Sequence, residues 1–370
     1  MKPKLKAKLY TAMENVYVKG VYSITALSTA KGAWQRVRRI GGGYKGSSKD
    51  FHDKVVAYWK PYGIHPKRFW YALYCNEEQG YDPRYIPDSL WYSKIIPYFN
   101  KVILRNAYAD KCFYDRLFPD VKKPATVIKN ISGHYYNGDN VPITRDEAVR
   151  LCAKQEKLIF KPSVESGEGH HIQVLEKDSI NAEYIDKLLD EYGANYVVQQ
   201  FVKQHPDLAR INPSSLNTMR VISFFFKGEV HILSAQLRMG SAGSHVDNVG
   251  AGGCACAINP DGWLAEKSVT RTSQWSYEHP NGMKFKDIYV PSYDKVINTI
   301  KWMHTQLPYF CLVGWDFAVD AEGDPVFIEL NINMAQNQIG CGRPTFGDMT
   351  EGVLEEVFIK KTILRDRPKG

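Results

Sequence analysis

The sequence predicts an α+β fold, because predicted strand pairs and predicted helices alternate through most of the chain. Three pairs of apolar, strand-like runs are each joined by a turn or loop rich in Gly, Ser or charged residues, and amphipathic helical patterns lie between them. The chain has 370 residues, of which 44% are hydrophobic and 13% are aromatic. A chain of this size and composition can form two or three packed subdomains.

Composition excludes several classes of protein. No apolar run approaches the roughly 20 residues that a membrane-spanning helix requires, and the N-terminus MKPKLKAKLYTAMENVYVKG lacks the apolar segment of a signal peptide. The seven cysteines form no CxxC pair, and Cys254 and Cys256 have no neighbouring ligand at metal-binding spacing. We therefore expect a cytoplasmic protein with reduced thiols, and a metal role for the cysteines is the less favoured alternative.

Positive charge is concentrated at the N-terminus. The whole chain has a net charge of +8, whereas residues 1–49 contain eight Lys and three Arg against a single acid, Glu14, which gives +10. Aliphatic and Tyr side chains are interspersed among these basic residues, which suits an anionic membrane surface or an anionic polymer. The alternative is a solvated helix face with a positive bias. No segment resembles a nucleic-acid-binding module, so we expect no nucleic-acid partner.

Residues 1–100 are predicted to form a basic, aromatic-rich and mostly helical domain. Aromatic-rich helical patches alternate there with Gly and Pro breakers. Residues 50–59 have helical spacing, with Phe51, Val55, Tyr58 and Trp59 on one stripe that we expect to be core. The pattern changes near Tyr98, which predicts a domain boundary near residue 100.

Three helical segments are predicted in the next part of the chain. The run Asn106–Phe118 has helical character. Thr144 and Glu147 form a capping box, which predicts a helix that extends to about Gln155. Residues 182–192, which end before Gly193, predict another helix.

A Gly- and Ser-rich loop, residues 162–169, lies between predicted strands at residues 157–161 and 171–175. Glycines permit backbone conformations that direct N–H groups at an anion, and Lys161 adds a positive charge at the start of the loop. The pattern favours a flap over phosphate groups. An ordinary hairpin turn has a similar composition and is the alternative.

The apolar run Tyr196–Val202 predicts a buried strand that leads into polar residues. Such a strand end, Gln199 to Val202, can serve as an adenine hinge, where backbone amides meet the purine edge. A core strand is the alternative, and the two interpretations are compatible.

The next predicted hairpin, residues 217–226 and 230–238, contains Arg220 and Arg238 among apolar residues. Because arginine is rarely buried alone, each should have a carboxylate partner or an anionic ligand.

The apolar runs Leu312–Val319 and Pro325–Leu330 predict a hairpin across a turn-rich link. Strand alternation directs Glu329 and Asn331 to one face, and Asp316 can join them from the partner strand. The same alternation directs Val326, Ile328 and Leu330 into the core. Three oxygen-bearing side chains suit Mg²⁺, whereas the alternative is a solvated face of an amphipathic hairpin. The polar loop after the hairpin, residues 333–344, is where we expect an acceptor substrate to bind.

Taken in order, these features resemble the ATP-grasp superfamily, and most closely its sugar-transfer associated family. The stretches FKPSVESGEG, SLNTMRVISF, DNVGAGG and GWDFAVDAEGDPVFIELN carry the resemblance, which covers roughly residues 100–345. It implies two α+β subdomains that clasp ATP, preceded by the helical N-terminal domain. The expected division is residues 1–100, a small lid subdomain at 101–200 and a catalytic subdomain at 201–370.

The resemblance also implies roles for individual residues. Lys111 and Lys161 would contact the phosphates and the adenine side, and Arg220 and Asn248 would face the transferred phosphoryl group, with Arg238 as a further catalytic candidate. Two Mg²⁺ ions, for which Mn²⁺ can substitute, would bind Asp316, Glu329 and Asn331. The remaining nucleotide contacts would come from the loop and the hinge: Ser163, Ser166, Gly167, Gly169, Gln199, Gln200, Phe201 and Val202.

Two residue choices depart from the family pattern. Glu165 and Glu168 place negative charge in the phosphate loop, which should therefore act through its backbone N–H groups, and His170 and His171 replace small or β-branched residues.

The implied reaction is ATP-dependent ligation of a carboxylate to an amine through an acylphosphate, with ADP and phosphate as products. The resemblance implies small-molecule substrates, an amino acid or a sugar-linked compound, in glycan or exopolysaccharide biosynthesis. It also suits a cytoplasmic protein held peripherally at the inner membrane face through residues 1–49. A kinase that uses the same clasp is one alternative. A non-enzymatic, basic surface-binding module with a degenerate nucleotide site is the other.

Overall fold

Two antiparallel sheets and a helical N-terminal region make up the computed structural model, which describes residues 3–39, 49–74, 80–164, 171–240, 252–270 and 274–360. The side chains of residues 3–11, 15 and 39 are outside this description. The α+β class and the helical N-terminal region are as predicted. No helix in the described ranges has the length and apolar character needed to cross a membrane.

The N-terminal region is built from helices that pack around aromatic side chains. Its α-helices are α1 (Pro3–Arg39), α2 (Lys49–Trp59), α3 (Arg68–Tyr74), α4 (Asp88–Leu90) and α5 (Ile96–Phe99), with a 3₁₀ turn at Lys60–Tyr62 and a π-helical segment at Trp91–Ile95. Phe51, Val55 and Trp59 of α2 are buried, as the helical stripe predicts. The same core includes Ile222 and Phe224 of the larger sheet, so this region packs directly on that sheet.

Short helical segments connect the N-terminal region to the first sheet. They are a 3₁₀ turn at Val102–Leu104, α6 (Arg105–Ala109), a 3₁₀ turn at Lys111–Phe113 and α7 (Tyr114–Leu117). The single helix predicted over residues 106–118 is therefore wrong. Asp110 explains the break, because its backbone is extended and its carboxylate accepts a hydrogen bond from the Cys112 amide at 2.9 Å.

The first sheet has five strands in the order β2-β1-β5-β3-β4. They are β1 (Thr126–Ile131), β2 (His134–Asn137), β3 (Lys157–Pro162), β4 (Gln173–Glu176) and β5 (Tyr196–Gln200). Helices α8 (Arg145–Ala153) and α9 (Ala182–Tyr192) pack on it, and a 3₁₀ turn lies at Lys177–Ser179. Thr144 caps α8 by accepting a hydrogen bond from the Glu147 amide at 3.2 Å, which confirms the predicted helix start.

The second sheet has seven strands in the order β10-β9-β8-β7-β6-β11-β12. They are β6 (Thr218–Phe226), β7 (Glu229–Met239), β8 (Cys254–Ile258), β9 (Leu264–Thr270), β10 (Trp275–Ser276), β11 (Leu312–Val319) and β12 (Pro325–Asn331). Both predicted hairpins, β6 with β7 and β11 with β12, are confirmed. Every residue of β11 is buried, because the strand lies between β6 and β12 in the interior of the sheet.

The remaining helical segments surround the second sheet. They are α10 (Pro206–Ala209), α11 (Tyr293–Thr305), α12 (Gln338–Cys341) and α13 (Thr350–Leu354), with 3₁₀ turns at Phe285–Asp287 and Gly347–Met349 and a π-helical segment at Glu355–Lys360. Helix α11 covers one face with Val296, Ile300 and Met303, which pack in the same core as Trp315 and Phe317.

A β-bulge in the β11–β12 hairpin changes which side chains of β12 face the core. Asp316 pairs with Glu329, whereas the next residue, Phe317, pairs with Phe327, so Ile328 is the extra residue. The predicted core position of Ile328 is therefore wrong. Phe327 takes that position at 0% exposure, while Ile328 is half-buried and lines a cavity.

Candidate functional site

Charged side chains from both sheets meet beside the edge strand β12. The contributing elements are the end of β3, the turn before α7, and four adjacent strands of the larger sheet, β7, β6, β11 and β12. Their charged residues are Lys111, Lys161, Arg220, Arg238, Asp316 and Glu329. The structure thus brings together six residues that the sequence places up to about 220 positions apart, counted from Lys111 and Glu329.

Asp316 is held by two arginines. The β-ladder places Arg220 directly opposite Asp316, and the guanidinium donates to both carboxylate oxygens, at 2.8 Å from Nη2 to Oδ2 and through a shorter contact from Nε to Oδ1. Arg238, on β7, donates from Nη2 to the same Oδ2 at 3.0 Å. The sequence left open whether each arginine has a carboxylate partner or an anionic ligand, and the structure gives each a carboxylate partner. Charge-assisted, bidentate contacts of this kind fix the orientation of both groups.

Glu329 on β12 forms an ion pair with Lys111 of the 3₁₀ turn that precedes α7. Its Oε2 lies 3.1 Å from Nζ of Lys111, and the Asn331 side-chain amide donates to its Oε1 at 3.5 Å. Burial alone would favour the neutral acid, but the charges of Lys111 and Arg220 outweigh it and hold the pKa of Glu329 well below its usual range. Glu329 is therefore an anion at any pH near neutrality.

Lys111 is positioned by the backbone of the phosphate-loop segment. Its amide donates to the Ser163 carbonyl at 2.9 Å, and the Ser163 amide donates to the Asn195 carbonyl at 2.8 Å. Both Lys111 and Ser163 are buried. The break at Asp110 therefore turns the chain so that Lys111 lies beside the end of β3.

Lys161 differs from the other buried lysine of its sheet. Lys129 on β1 has an ion pair with Asp115 at 2.6 Å and a hydrogen bond to Asn140 at 2.7 Å. Lys161 is 5% exposed, and its amine has no ion-pair partner among the residues that the structure describes. Burial, reinforced by the neighbouring charge of Lys111, lowers the pKa of Lys161 to about 8.

The site has an excess of positive charge. Two carboxylates, Asp316 and Glu329, stand among two arginines and two lysines, all of them partly or fully buried. A buried cation without an anionic partner is unfavourable, since it loses hydration without compensation. The arrangement therefore favours an incoming anion with more than one negative charge.

A cavity of about 250 Å³ adjoins this charged cluster. Lys111 lies at its boundary, Ile328 and Phe327 contribute an apolar wall, and Gln199 contributes a polar one. The side-chain oxygen of Gln199 is buried and has no hydrogen-bond partner within the described part of the chain. An aromatic heterocycle with exocyclic N–H groups has the size and polarity for such a space.

The other hinge residues lie outside this cavity. Gln200 is exposed and donates to the Gln155 side chain at 2.8 Å, and the Phe201 ring lies under the Lys157 amine at 4.1 Å. Val202 is half-buried. Of the predicted hinge side chains, Gln199 alone lines the cavity.

Asp316 pairs with Glu329 in the β11–β12 ladder, Asn331 lies two residues farther along β12, and all three supply hard oxygen donors. Two carboxylates and an amide suit Mg²⁺, which binds few protein ligands and completes its shell with water and phosphate oxygens. Within the described ranges no cluster of three or more His, Cys, Asp or Glu has metal-binding geometry. The donor set therefore fits a cation that is shared with a phosphate ligand rather than one enclosed by protein.

Several predicted site residues are outside the described residues. They are Ser166, Gly167, Gly169 and Asn248, together with the departures Glu165, Glu168 and His170.

The predicted acceptor loop is docked on the N-terminal region. Trp91 donates to the Met334 carbonyl at 2.8 Å, and Gln336 donates to Asp88 at 2.9 Å. Asp88 also pairs with Arg36 of α1 at 3.1 Å. Burial and Asp88 raise the pKa of Tyr92, against the opposing charge of Arg220.

The sequence patterns did not indicate that Asp88 contacts the predicted acceptor loop. Asp88 lies in no recognisable motif, and its contact with Gln336 spans about 250 residues of chain.

A buried Ser–His pair elsewhere in the sheet is structural. Ser223 and Nδ1 of His304 are 2.6 Å apart, and Nε2 of His304 is 3.1 Å from the Phe310 carbonyl. Both residues are almost completely buried. The pair satisfies polar groups in the core and is inaccessible to substrate.

The profile of the family described as sugar-transfer associated ATP-grasp matches residues 124–343. No curated protein matches the chain.

Similar solved structures include ATP-grasp ligase PsnB complexed with a phosphomimetic variant of its minimal precursor, Mg and ADP, at 15% identity and a TM-score of 0.41, covering 70% of this chain and 61% of that chain. A second is a biotin carboxylase from Campylobacter jejuni, at 13% identity and a TM-score of 0.42, covering 73% of this chain and 50% of that chain. A third is D-alanyl-alanine synthetase A from Vibrio cholerae, at 14% identity and a TM-score of 0.39, covering 71% of this chain and 66% of that chain. The chain thus spans about three fifths of the PsnB chain.

Proposed function

Because the chain belongs to the sugar-transfer associated ATP-grasp family, we propose that it is an ATP-dependent carboxylate–amine ligase that forms an amide through an acylphosphate. Its substrates are a small-molecule carboxylate and an amine, one of them an amino acid or a sugar-linked compound used in glycan or exopolysaccharide synthesis. The proposed division is an N-terminal domain at residues 1–100, a lid at 101–200 and a catalytic subdomain at 201–370.

The observation that carries this proposal is the excess of buried positive charge beside an adenine-sized cavity. Lys161 forms no ion pair among the described residues, and Lys111 lies between the charged cluster and the cavity. A nucleoside triphosphate has the matching distribution, with a flat base at one end and several negative charges at the other. The proposed base site is Gln199 and Ile328, with the backbone of Gln200, Phe201 and Val202 at its edge.

Asp316, Glu329 and Asn331 would hold Mg²⁺, two ions in this proposal, with Mn²⁺ as a substitute. When bound, such an ion neutralises phosphate charge and orients the transferring group. Residue by residue, Lys111 and Lys161 bind the phosphates, while Arg220, Arg238 and Asn248 face the phosphoryl group that is transferred. Ser163, Ser166, Gly167 and Gly169 belong to the loop that covers the phosphates through backbone N–H groups.

The proposed reaction balances in two steps. A carboxylate oxygen of the first substrate attacks the γ-phosphorus and the bond to the β-phosphate oxygen breaks, so that ADP leaves. The amine nitrogen of the second substrate then attacks the acyl carbon, and phosphate leaves with that carboxylate oxygen while the amine loses a proton. Positioning and charge stabilisation are sufficient for both steps, so no protein nucleophile is needed.

Two other functions are compatible with parts of the site. A kinase would use the same clasp to phosphorylate a hydroxyl group and would release ADP without phosphate. A non-enzymatic module would have lost its nucleotide site, and the charge-paired Asp316 and Glu329 argue against such degeneration. We also propose a cytoplasmic location, with residues 1–49 at the anionic inner face of the membrane.

The test is a screen of amino acids and amino sugars for stimulated release of ADP and phosphate, followed by mass spectrometry of the products. For a ligase, both products should require a carboxylate and an amine together, and ¹⁸O in the carboxylate should appear in the released phosphate. Release of ADP with a phosphorylated hydroxyl product would establish the kinase instead. Absence of nucleotide binding would contradict the enzymatic proposal.

A further inference from the structure

The outward face of α1 carries an apolar stripe that the fold leaves uncovered. Over most of its length the helix has two faces, and the inner one packs Tyr22, Ala33 and Val37 into the N-terminal core. The outer face exposes six large apolar side chains, between 42% and 73% of each: Met13, Val16, Tyr17, Ile24, Leu27 and Trp34. A stripe of this length is too regular to be a scatter of single exposed residues.

The stripe follows the helical repeat. Positions 13, 17, 20, 24, 27, 31 and 34 are separated alternately by four and three residues and therefore lie along one side of the helix. Five of the seven are apolar, and the other two are Gly20 and Lys31. An aromatic residue lies near each end, and the Arg38 guanidinium covers the Trp34 ring at 4.7 Å.

Charge decides between the two occupants that such a stripe could have. Apart from Glu14, every charged residue of α1 is basic, and Lys19, Lys31 and Arg38 are exposed beside the stripe. A second copy of the helix would place these like charges against each other, with Gly20 and Lys31 in the seam, where neither supports packing. An anionic lipid surface complements both the apolar stripe and its basic border.

We propose that the outer face of α1 is a membrane-insertion surface, which lies in the interface of an anionic bilayer with Ile24, Leu27 and Trp34 in contact with acyl chains. This inference rests on the proposed membrane contact of residues 1–49 and changes its character. Basic residues alone would give an attachment that salt abolishes, because exposed charges are screened. An inserted apolar stripe gives a second component that persists at high salt.

The inner face of α1 couples this surface to the site. Arg36 on α1 pairs with Asp88 at 3.1 Å, and Asp88 accepts a hydrogen bond from Gln336 of the acceptor loop. A helix bound parallel to the membrane would therefore place the acceptor loop near the lipid surface, where a lipid-linked substrate would be presented.

The experiment is co-sedimentation of the full chain with vesicles of phosphatidylcholine and phosphatidylglycerol, and with phosphatidylcholine alone, at about 0.05 M and about 0.5 M NaCl. The test variant is Ile24→Ser with Leu27→Ser. The matched control is Val141→Ser with Trp302→Ser, which removes apolar side chains of 52% and 46% exposure that lie outside α1.

We expect the wild type and the control to bind anionic vesicles at low salt and to retain measurable binding at high salt. The test variant should lose the high-salt binding, with a partition coefficient reduced about tenfold or more, because two large apolar contacts are removed. Circular dichroism should show the same helix content in all three proteins.

Equal binding of the test variant and the wild type to anionic vesicles at high salt would overturn the proposal. The proposal would also be overturned if light scattering showed that the wild type is a dimer and the test variant is a monomer, since the stripe would then be a self-association surface.

ADP release with soluble substrates is measured in parallel. If it remains normal while vesicle binding is absent, the membrane inference fails and the ligase proposal stands. If vesicle binding is observed but nucleotide turnover is absent, the membrane inference stands and the ligase proposal fails.

Discussion

The two sheets present charge to the site in opposite ways. On the seven-stranded sheet, Asp316 has Arg220 and Arg238 as partners, and Glu329 has Lys111, so each carboxylate is compensated within the protein. At the end of β3 in the five-stranded sheet, Lys161 is buried without an ion pair in the described part of the chain. The carboxylates of one sheet thus have partners within the protein, whereas the lysine of the other forms no ion pair within the described ranges.

We propose that this difference separates residues that organise the site from a residue that contacts the ligand. Compensated groups keep a fixed geometry, because charge-assisted hydrogen bonds hold them from several strands at once. Burial disfavours a charged amine, and burial together with the charge of Lys111 lowers the pKa of Lys161 to about 8. We expect substitutions in the two groups to have different consequences for turnover, binding and folding.

The largest effect should come from Glu329→Gln. It removes one negative charge from the metal-binding set while conserving volume, so ADP release in the presence of both substrates should fall at least about 100-fold. The control is Glu322→Gln, an exposed residue in the turn of the same hairpin, which should retain wild-type turnover. Wild-type activity in Glu329→Gln would contradict the proposed metal assignment.

The next largest effect should be on nucleotide affinity. Lys161→Met removes a charge-assisted contact to phosphate, and the dissociation constant of ATP, measured by calorimetry, should rise about 10-fold to 100-fold. Lys154→Met, at an exposed position after α8, serves as the control and should bind ATP as the wild type does. An unchanged affinity in Lys161→Met would place the phosphates elsewhere.

Stability should change in the opposite direction for the two buried lysines of the five-stranded sheet. At pH 7, Lys161→Met should raise the free energy of unfolding by on the order of 1–3 kcal/mol, because a buried charge without a partner is removed. Lys129→Met should lower the free energy of unfolding, since Asp115 loses its ion-pair partner. In the wild type, burial of Asp115 opposes its ionisation, but Lys129 and Asn140 hold the pKa of Asp115 below its usual value.

The stability gain of Lys161→Met should depend on pH. The folded-state pKa of Lys161 is lowered to about 8, so the buried charge destabilises the wild type fully below that pH and less as the pH rises toward the ordinary lysine pKa of about 10.4. The advantage of the variant should therefore shrink between pH values of about 8 and 10. Urea unfolding at a series of pH values measures it, and a gain that grows with pH would contradict the assignment.

A smaller effect is expected at the cavity wall. Ile328→Ala removes apolar contact from the proposed base site, so ATP affinity should fall by about fivefold. Inorganic tripolyphosphate has no base, and its affinity should be unchanged. Equal losses for the two ligands would indicate a general disturbance of β12 rather than a base-binding wall.

Local sequence patterns predicted the parts of the site that depend on periodicity. The helix cap at Thr144 and the two hairpins follow from alternation and turn chemistry within short segments. The position of Ile328 was not predictable, because alternation assumes a regular ladder and a bulge shifts the phase by one residue.

The long-range contacts were also beyond the sequence patterns. The position of the two arginines on otherwise apolar strands indicated that they need anionic partners, but not that Arg220 and Arg238 share Asp316. The docking of Asp88 against Gln336 depends on how two separate regions pack, which no periodicity encodes.

Proton uptake during ATP binding tests the central claim most directly. At about pH 8.5 much of Lys161 should be neutral before binding, and the phosphates should restore its charge, since an adjacent anion raises a lysine pKa. Calorimetry with Mg²⁺ and ATP in two buffers of different ionisation enthalpy gives the number of protons taken up. The account predicts uptake of a substantial fraction of one proton by the wild type and none by Lys161→Met. ATP binding by the wild type without proton uptake, or equal uptake in both proteins, would contradict it.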